Sequence, residues 1–538
     1  MQNRLIMTRK RKYIFITGGV ISSLGKGLTS AAIALLLEGK GLKVSMLKLD
    51  PYLNVDPGTM NPLQHGEVYV TDDGAETDLD LGHYYRYTNA KITKASNVTA
   101  GQIYEGVIKK ERRGTYLGKT VQVIPHVTDE IKQKIIDSCE QDSDIAIIEI
   151  GGTVGDIESQ PFLEAIRQFQ NQHATLCITI HLTYVPYLSA AKEIKTKPTQ
   201  HSVQLLRSIG IIPDLIICRT ESPLSQEIKE KIALFCSVPN SMVIEAVDVD
   251  NIYEVPIKLQ KEGLDEKITH LLELPSQKSN LEKWENLLLT IKNPKYKASV
   301  GMVGKYIHHQ DAYKSVVEAL QHAAIICKVD LEIIGIDAEL ISSIDEIPPC
   351  HGYLIPGGFG VRGWEGKIFT AQYCRQNHLP YFGICLGMQV MIVEFARNIL
   401  ELTKADSTEM NQETPFPVIS LLSEQVEMAN LGGSMRLGAY PCNLLPKTKA
   451  KQIYNCSQIS ERHRHRYEFN NYYRSLYEKN QFIVSGIYEK ENLCEIVELL
   501  THPWMIGVQF HPEFKSKPIA AHPLFISFIT AIKMQNTI

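Results

Sequence analysis

Short runs of aliphatic residues recur through the first half of the chain, separated by amphipathic stretches. After a first run at Tyr13 to Ile16, they occur at Val44 to Leu49, Ile145 to Ile150, Leu176 to Ile180 and Leu215 to Cys218. Runs without polar alternation are typical of strands buried on both faces, as in a parallel sheet flanked by helices. The pattern therefore predicts a doubly wound α/β domain.

This alternation fades near Leu272. The residues that follow are rich in proline and polar side chains and include one helical stretch: Pro275, Ser276, Leu281 to Ile291, Asn293 and Pro294. Such residues suit an exposed connection, because they leave the core without burying unpaired backbone groups. We predict a first domain over 1–273 and a linker over 274–297.

A second alternation begins after the predicted linker. Its aliphatic runs are Ala298 to Val303, Leu331 to Ile336, Tyr353 to Ile355 and Tyr381 to Ile384. They predict a second doubly wound α/β domain, over 298–538. Within it, Leu402 to Pro417 is rich in Thr, Glu, Asn and Pro, and is predicted to be a loop or short insertion.

The composition is that of a globular protein. The chain has 538 residues, 44% of them hydrophobic and 22% charged, which fits two large domains. The net charge of -4 argues against nucleic acid or an anionic membrane as the main partner. The eleven cysteines form no CxxC pair, so a cytoplasmic location is favoured over a disulfide framework or a zinc site.

A basic cluster, Arg9 to Lys12, precedes the first aliphatic run. It resembles the start of a signal peptide, but Gly18 and Gly19 interrupt the apolar stretch early and no small-residue cleavage site follows. A buried first strand is the better interpretation, and the basic segment is predicted to be a flexible tail. No window is apolar for long enough to span a bilayer.

A glycine-rich segment follows the first predicted strand. Residues 18–27 read GGVISSLGKG and lead into a helix-compatible stretch from Ser30 to Leu37. Glycines let backbone N–H groups converge on phosphate oxygens, the helix N-terminus adds partial positive charge, and Lys26 supplies a full one. The segment departs from the standard P-loop: its first glycine lies one residue too far upstream, and Gly27 replaces the hydroxyl residue that would hold magnesium. The alternative is a tight turn with an exposed lysine.

Without that hydroxyl, carboxylates are expected to hold the metal, because Mg²⁺ requires hard oxygen ligands beside the phosphates. Asp80 ends the acidic stretch Asp72 to Asp80, and Glu149 lies at the end of the run Ile145 to Ile150. Ligands gather at the carboxyl ends of strands in open α/β sheets, where Glu149 is expected. Taken alone, an acidic stretch is more often a solvated loop.

The strongest chemical signal lies in the second domain. Residues 383–387 read GICLG, after a predicted strand and before a helical pattern from Met388 to Arg397. Flanking glycines relieve crowding at a sharp strand-to-helix turn, which is the arrangement of a nucleophile elbow. A thiol at a helix N-terminus ionises more readily than a free one, so Cys385 is a candidate nucleophile.

Its partners are predicted downstream and upstream. Residues 509–513 read QFHPE after the apolar run Met505 to Val508, and on an extended segment His511 and Glu513 would face the same side as base and orienter. Residues 356–360 read PGGFG and offer bare backbone N–H groups for an oxyanion hole. A lone cysteine or a lone His-Pro-Glu is more often structural, but the three segments in one domain favour catalysis.

With these segments together, the chain resembles the CTP synthase family over almost its whole length. The segments that carry the resemblance are residues 18–27, 48–52, 54–60, 74–82, 149–158 and 195–200, with the cysteine elbow and its partners. The resemblance implies an ATP-dependent amidoligase domain followed by a class I glutamine amidotransferase domain. It implies a ligase that aminates UTP to CTP, the last step of de novo pyrimidine nucleotide synthesis.

The implied reaction runs in two chambers. Cys385 would hydrolyse the glutamine amide, with His511 moving protons and Glu513 holding the ring. ATP would phosphorylate O4 of UTP, and ammonia, arriving through an internal tunnel or supplied free, would displace the phosphate. Because free ammonia is mostly protonated at neutral pH, its release beside an activated carbonyl meets a chemical need.

The resemblance also implies individual binding residues. ATP with Mg²⁺ would be bound by Ser23, Leu24, Gly25, Lys26, Gly27, Leu28, Asp80 and Val249, with Asp80 and Glu149 as the metal ligands. UTP, or CTP as feedback inhibitor, would be bound by Ser22, Asp156, Ile157, Glu158, Lys195, Thr196, Lys197, Pro198, Thr199, Gln200 and Lys231. Glutamine would be bound by Gly358, Leu386, Gly387, Met388, Gln389, Glu409 and Arg466. No organic prosthetic group is implied.

Two segments have a simpler interpretation from their residues alone. Lys195 to Pro198 has the composition of a solvated loop, and Arg462 to Arg466 that of an exposed basic face. The resemblance further implies activation by GTP, a homotetramer whose UTP sites span subunits, and stacking of tetramers into filaments.

Three other functions would each account for part of the sequence. Another ATP-dependent amidotransferase, of the cobyrinate or formate-activating type, would share the glutaminase, but residues 195–200 with Asp156 to Glu158 fit a nucleoside triphosphate better. A P-loop partitioning ATPase leaves the cysteine elbow unexplained. An inactive filament subunit would be expected to have lost Cys385 or Lys26, and both are present.

Overall fold

The computed structural model describes residues 11–275, 277–421 and 435–535. The predicted basic tail lies outside the described residues as far as Lys10. The strands are β1 (Lys12–Gly18), β2 (Val44–Asp50), β3 (Tyr69–Val70), β4 (Glu76–Thr77), β5 (Asn97–Thr99), β6 (Ile145–Ile150), β7 (Cys177–Tyr184), β8 (Tyr187–Leu188), β9 (Glu193–Ile194), β10 (Leu215–Thr220), β11 (Val243–Val247), β12 (Tyr296–Gly304), β13 (Val329–Asp337), β14 (Gly352–Ile355), β15 (Tyr381–Ile384), β16 (Ala405–Ser407), β17 (Phe416–Leu421), β18 (Arg436–Leu444), β19 (Gln458–His465), β20 (Tyr467–Phe469), β21 (Phe482–Tyr488), β22 (Leu493–Leu499) and β23 (Met505–Val508).

The α-helices alternate with these strands along both halves of the chain. They are α1 (Lys26–Gly39), α2 (Pro62–His65), α3 (Asp80–Tyr87), α4 (Ala100–Arg112), α5 (Thr128–Asp137), α6 (Gln160–Gln172), α7 (Lys197–Ser208), α8 (Gln226–Cys236), α9 (Val255–Lys261), α10 (Leu264–Leu271), α11 (Glu282–Ile291), α12 (Lys314–Cys327), α13 (Trp364–Asn377), α14 (Leu386–Asn398), α15 (Lys449–Tyr454), α16 (Arg474–Lys479) and α17 (Pro523–Gln535).

The described chain forms two compact units. The first comprises residues up to Pro57 and Asp80–Leu288, and the second comprises Gly58–Leu79 and the residues from Leu289 onward. The predicted boundaries, 1–273 and 298–538, differ from this division in two segments. Residues 58–79 belong to the second unit, and the predicted linker is divided inside α11.

The first part of the predicted linker packs on the first unit. Asn280 N–H donates to the carbonyl of Gly39 at 2.8 Å, and Ser279 Oγ donates to that of Leu36 at 3.2 Å. Trp284 is 2% exposed, and its indole N–H donates to the carbonyl of Tyr253 at 2.7 Å. These contacts anchor residues that their composition alone assigns to an exposed connection.

The first unit is built on a seven-stranded parallel sheet in the order β11-β10-β7-β1-β6-β2-β5. In the central strand, Phe15 pairs with Ile148 of β6 on one side and Thr179 of β7 on the other. Phe15 shares a core cluster with residues of α4, α5 and α6, whereas α1 packs on β1 and β6. The predicted doubly wound parallel sheet is confirmed.

The second unit contains a nine-stranded mixed sheet in the order β13-β12-β14-β15-β23-β22-β21-β18-β19. The first five strands are parallel, and the remaining neighbours are antiparallel. The parallel half carries α12, α13, α14 and α17 and has the predicted α/β form. β15 and β23 are neighbours, and their last residues, Ile384 and Val508, pair with each other, so the carboxyl ends of the two strands lie side by side.

The strands β3 and β4 form an antiparallel hairpin within the second unit. Arg462 Nε donates to Asp72 Oδ1 at 2.7 Å, and Arg464 Nε donates to Glu76 Oε1 at 2.7 Å. Arg462 is 1% exposed. The interpretation of Arg462 to Arg466 as an exposed basic face is therefore wrong, because two of its arginines pair with carboxylates of this hairpin.

A second segment also differs from its predicted form. The composition of Leu402 to Pro417 predicts a loop or short insertion, but Ala405–Ser407 and Phe416–Leu421 are strands of a three-stranded sheet with β20. Ala405 and Ser407 are completely buried, so this part of the segment belongs to the core. Polar and proline content alone does not reveal strands this short.

All eleven cysteines lie in the described ranges, and each is a free thiol. Among the described residues, none of the helices combines the length and the apolar character needed to cross a membrane.

Candidate functional site

Cys385 lies at the sharp turn between β15 and α14. It is the N-cap residue of the helix, with φ 51° and ψ −101°, a conformation that is strained for a residue with a side chain. A Cβ at Gly383 would lie 2.4 Å from the carbonyl oxygen of Gly387, and one at Gly387 would lie 2.3 Å from that of Ile355. The two glycines therefore allow the close backbone approach that a nucleophile elbow needs.

His511 and Glu513 form a buried pair directly after β23. His511 Nδ1 lies 2.7 Å from Glu513 Oε1, and the two residues are 8% and 5% exposed. The segment is not extended as predicted: Pro512–Lys515 forms a 3-10 turn, and the turn itself brings the carboxylate to the ring. His511 Nε2 is buried with no hydrogen-bond partner among the described residues, so it remains available to a substrate or to the thiol.

The charge of His511 follows from its neighbours. Burial lowers the pKa of His511, but the Glu513 carboxylate and the Cys385 sulfur outweigh burial and raise the pKa to about 10. The imidazole is therefore protonated near neutral pH. A histidine cation beside a cysteine is the arrangement that activates cysteine nucleophiles.

The glycine loop 356–360 lies next to this pair. A Cβ at Gly357 would lie 2.5 Å from His511 Cε1, and one at Gly358 would lie 3.5 Å from Leu386 Cδ2. Gly360 N–H donates to Glu409 Oε1 at 2.7 Å. Burial raises the pKa of Glu409, and this hydrogen bond opposes the rise. The loop predicted to form an oxyanion hole is thus packed against the elbow, the base and Glu409.

The other predicted glutamine-binding residues surround the same point. Leu386, Gly387, Met388 and Gln389 form the first turn of α14 and are buried. Gln389 Nε2 donates at 3.2 Å to the carbonyl of Tyr467, the residue that follows Arg466 in the sequence. Gln389 Oε1 is buried and has no hydrogen-bond partner among the described residues. A buried amide oxygen in this position can accept a hydrogen bond from a substrate ammonium group.

A cavity of about 250 Å³ opens beside the catalytic pair within the second unit. Its lining combines the pair, the glycine loop and residues of the segment 58–79: His511, Glu513, Gly357, Gly358, Thr59 and Glu67. Glu67 is fixed there, because its Oε2 accepts from the backbone N–H of Ser315 at 2.8 Å. Residues from distant parts of the sequence thus line one cavity.

In the first unit, the phosphate-loop candidate follows β1. Lys26 begins α1, and its Nζ donates to the carbonyl of Gly152 at 2.8 Å. Burial lowers the pKa of Lys26, which Glu149 opposes. A Cβ at Gly27 would lie 2.0 Å from Asp80 Oδ1. The departure from the standard P-loop is therefore explained, because the missing side chain makes room for a carboxylate.

The two predicted metal ligands converge on one point. Lys48 Nζ contacts Asp80 Oδ2, Glu149 Oε1 at 3.2 Å and Asp50 Oδ1 at 3.8 Å. Tyr84 donates its hydroxyl to Glu149 Oε2. Burial raises the pKa of Glu149, and Lys48 opposes the rise. Sequence reasoning gave Lys48 and Tyr84 no role, although a lysine within the apolar run VSMLKLD was a usable signal.

The predicted UTP-binding residues lie on two segments near the phosphate loop. Asp156, Ile157 and Glu158 are exposed, and Asp156 Oδ2 accepts from Thr153 N–H at 2.8 Å in the loop that Lys26 contacts. The helix α7 begins at Lys197, so the solvated-loop interpretation of Lys195 to Pro198 is wrong for its second half. Thr196, Thr199 and Gln200 are buried, whereas the exposed Ser22 lies in the phosphate loop.

The helix α7 reaches the phosphate loop directly. A Cβ at Gly19 would lie 1.6 Å from Ser202 Oγ, so only glycine allows this approach. Lys197 Nζ lies 5.9 Å from the ring centre of Phe235 on α8. The exposed Lys231 lies one helical turn before Phe235. Lys195 instead pairs with Glu193.

Val249 follows β11 at the same carboxyl edge of the sheet. Its neighbour Asp248 accepts from Arg219 Nε at 2.9 Å, and Arg219 Nη1 donates to the carbonyls of Ser23 and Leu24 at 3.3 and 3.2 Å. Gly25 and Leu28 are the half-buried residues that flank Lys26 and Gly27. The structure therefore brings the predicted ATP-binding residues together.

Comparison with known proteins decides the family. The model "CTP synthase N-terminus" matches residues 12–274, and the model "Glutamine amidotransferase class-I" matches residues 308–531. A CTP synthase of Protochlamydia amoebophila is 64% identical over 529 residues, which cover 97% of this chain and 98% of that protein. The chain belongs to the CTP synthase family. It is accordingly an enzyme, a ligase with a glutamine amidotransferase domain.

A second CTP synthase relative supports the same membership. The CTP synthase of Chlamydia felis is 59% identical over 523 residues and covers 97% of both chains. A solved glutaminase domain of Trypanosoma brucei CTPS with bound acivicin is 34% identical, covers 44% of this chain and 93% of that one, and has a TM-score of 0.42. In this CTP synthase family chain, Lys26, Asp80 and Glu149 fall within the first matched region, and the catalytic candidates fall within the second.

Proposed function

We propose that this chain converts UTP to CTP with ATP, using ammonia that its second unit releases from glutamine. One observation carries the proposal: an elbow cysteine with a His511–Glu513 pair occurs in the same chain as a phosphate loop with converging Lys48, Asp80 and Glu149. Each half needs the other, because ammonia is a product of one and the nucleophile of the other. Family membership supports this reaction over other amidotransferase reactions.

In the glutaminase step, Cys385 attacks the amide carbon of glutamine. The protonated His511 ring, which holds the proton that the thiol has given up, donates it to the leaving nitrogen, so that the C–N bond breaks and ammonia departs. The thioester that remains is hydrolysed by a water molecule whose proton passes to His511, releasing glutamate. Glu513 stabilises the protonated ring throughout, which agrees with the raised pKa of His511.

The substrate is positioned by groups around the elbow. The backbone N–H groups of Gly358, in the glycine loop, and of Leu386, at the N-terminus of α14, are proposed to stabilise the tetrahedral oxyanion. Gln389 Oε1, with Glu409 and Arg466, is proposed to bind the α-amino and α-carboxyl groups of glutamine. The buried orphan oxygen of Gln389 supports this role.

The first unit is proposed to bind ATP with Mg²⁺. The donor set fits the ion: Asp80 and Glu149 present carboxylate oxygens to the same cation, Lys48, and Mg²⁺ in nucleotide sites usually takes one or two carboxylates with phosphate oxygens. When bound, the ion would neutralise phosphate charge. Lys26 and the N–H groups of residues 23–28 would bind the phosphates, and Val249 would contact the nucleoside.

The substrate nucleotide is proposed to lie between the phosphate loop and α7. Asp156 to Glu158, Ser22, Lys231 and residues 195–200 would bind UTP, or CTP as an inhibitor. The γ-phosphoryl group of ATP moves to O4 of UTP, leaving ADP, and ammonia then adds to C4. The added nitrogen loses a proton and the C4–O4 bond breaks, so O4 departs as part of inorganic phosphate rather than as hydroxide.

The segment 58–79 is proposed to couple the two reactions. It lines the cavity next to His511 and continues directly into Asp80, the proposed metal ligand. Stimulation by GTP, a cytoplasmic homotetramer and its filaments are also proposed, on family membership alone.

The test is an assay of CTP formation from UTP and ATP with either glutamine or ammonia as nitrogen source. Cys385→Ala should abolish the glutamine-dependent reaction and retain the ammonia-dependent one, because only ammonia production needs the thiol. Cys456→Ala is the matched control, since Cys456 is exposed and far along the chain from the elbow. Loss of both reactions in folded Cys385→Ala would refute the division of labour.

A further inference from the structure

A buried glutamine side chain contacts the nucleophile. Gln509 follows β23 and is completely buried, and its Nε2 lies 3.7 Å from Cys385 Sγ, within hydrogen-bond distance for sulfur. Its backbone N–H donates to the carbonyl of Glu495 at 2.9 Å, which fixes it to the neighbouring strand β22. A buried amide held against a reactive thiol has a chemical consequence that depends on which end faces the sulfur.

The neighbours of Gln509 decide that orientation. Gln509 Oε1 accepts from Gln389 Nε2 at 3.4 Å, and Gln389 Nε2 also donates to the carbonyl of Tyr467 at 3.2 Å. A backbone carbonyl only accepts, so it fixes the amide of Gln389, which in turn fixes that of Gln509. Reversing Gln509 alone would place two N–H donors face to face. The N–H group of Gln509 therefore points at the sulfur.

The second partner of the thiol has the opposite character. Cys385 Sγ lies 3.8 Å from the carbonyl oxygen of Arg464, which can only accept a proton from the neutral thiol. Once the sulfur is an anion, it has no proton to donate to the Arg464 carbonyl. The hydrogen bond from the Gln509 N–H group to the sulfur becomes stronger, because hydrogen bonds to charged groups are stronger than those between neutral groups. The pair of contacts thus discriminates between the two states of the sulfur.

We propose that Gln509 is a catalytic residue of the glutaminase step, and that its side-chain amide stabilises the sulfur anion of Cys385. It acts twice: it favours the attacking anion, and it stabilises the same anion when sulfur leaves during hydrolysis of the thioester. The role rests on the proposed function of Cys385 as the nucleophile. It also gives the QFHPE segment a function for its first residue.

The strand behind Gln509 is unusually well anchored. The side chain of Glu495 accepts from Arg436 Nη2 at 2.8 Å and lies 2.6 Å from His463 Nε2, and Glu495 is completely buried. These ion pairs fix the carbonyl that holds the backbone of Gln509. A fixed donor loses little orientational freedom when the charge develops, which is the requirement for electrostatic catalysis.

The test compares two isosteric variants of the full-length protein. Gln509→Met keeps the side-chain volume and removes the donor, and Gln509→Glu replaces the donor by an acceptor. Alkylation of Cys385 by iodoacetamide is followed against pH, with the Cys385 peptide quantified by mass spectrometry. Glutamine-dependent kcat and KM and ammonia-dependent CTP formation are measured on the same samples.

For Gln509→Met we expect the midpoint of the alkylation profile to rise by about one to two pH units. Glutamine-dependent kcat should fall by about 10-fold with KM changed by less than about threefold. Gln509→Glu should be affected more strongly, because a carboxylate repels the sulfur anion. Ammonia-dependent CTP formation should stay unchanged in both and reports that the first unit is intact, and the melting temperature reports whether the second unit, which contains Gln509, is folded.

Unchanged alkylation midpoints in both variants would overturn the proposal. If the melting temperature falls while the midpoints stay unchanged, Gln509 contributes to packing and not to the stability of the sulfur anion. Equal effects of Met and Glu on the midpoint would also overturn it. Failure of the proposed function is seen separately: Cys385→Ala would then keep glutamine-dependent CTP formation, whatever the Gln509 variants do.

Discussion

Replacing Gly387 by alanine would press a methyl group into the backbone behind the nucleophile. The added Cβ would lie 2.3 Å from the carbonyl oxygen of Ile355, about 0.7 Å inside the 3.0 Å that real Cβ contacts respect. Because β14 is a central buried strand, the first turn of α14 must move instead, and Cys385 caps that turn. A displacement approaching 1 Å at a reacting atom costs about 10²-fold in rate, so we expect a 10- to 100-fold loss.

The assay is CTP formation by Gly387→Ala with each nitrogen source. The glutamine-dependent rate should fall by that factor, while the ammonia-dependent rate stays within about twofold of the parent, because the elbow plays no part in activating UTP. The matched control is Gly106→Ala in α4, where the nearest atom to the new Cβ is a flexible carboxylate oxygen of Glu130 at 3.3 Å. A glutamine-dependent rate unchanged in folded Gly387→Ala would refute the argument that elbow geometry sets the position of the thiol.

Two further variants test the charges of the His511–Glu513 pair and of Lys26. Burial lowers the pKa of His511, but Glu513 and Cys385 raise it to about 10, above the value of about 6.5 in the unfolded chain. The pairing therefore stabilises the fold fully below about pH 6.5. This stabilisation is lost as the pH rises through 10. Glu513→Gln should therefore lower stability by about 3 kcal/mol at pH 6 and by much less at pH 10.5, as melting temperatures would show; an equal loss at both pH values would contradict this. Lys26→Ala should stop CTP formation with glutamine and with ammonia alike, because activation of UTP is lost, and an unchanged rate would remove Lys26 from the phosphate site.

The parallel sheets were predictable because their strands are nearly continuous aliphatic runs. Ile145–Ile150 and Tyr381–Ile384 have the predicted bounds, whereas β7 continues past Ile180 to Tyr184. The difference has a physical cause: Thr179, His181 and Thr183 are polar yet completely buried. His181 is satisfied by Thr17 and Ser202, each at 2.9 Å, and such partners are invisible in a hydrophobic pattern.

Within the site, residues adjacent to glycine turns were predictable and residues that contact them across the fold were not. Cys385 and Lys26 follow local rules of strand, turn and helix. Tyr84 and Gln509 depend on pairings between distant segments, and no local pattern marks them. Lys48 has one local signal, its place within the apolar run VSMLKLD, but its carboxylate partners lie far along the chain. The same holds for residues 58–79, whose place in the second unit rests on Arg462 and Arg464.

The central claim is that nitrogen released at Cys385 ends in the product of the first unit. The most direct measurement supplies glutamine labelled with ¹⁵N in its amide group, in a buffer that contains unlabelled ammonium, and determines the mass of the CTP formed from UTP and ATP. The account predicts that the exocyclic amino group carries ¹⁵N in the parent protein and ¹⁴N in Cys385→Ala. CTP without ¹⁵N from the parent protein, while labelled glutamine is consumed, would contradict it.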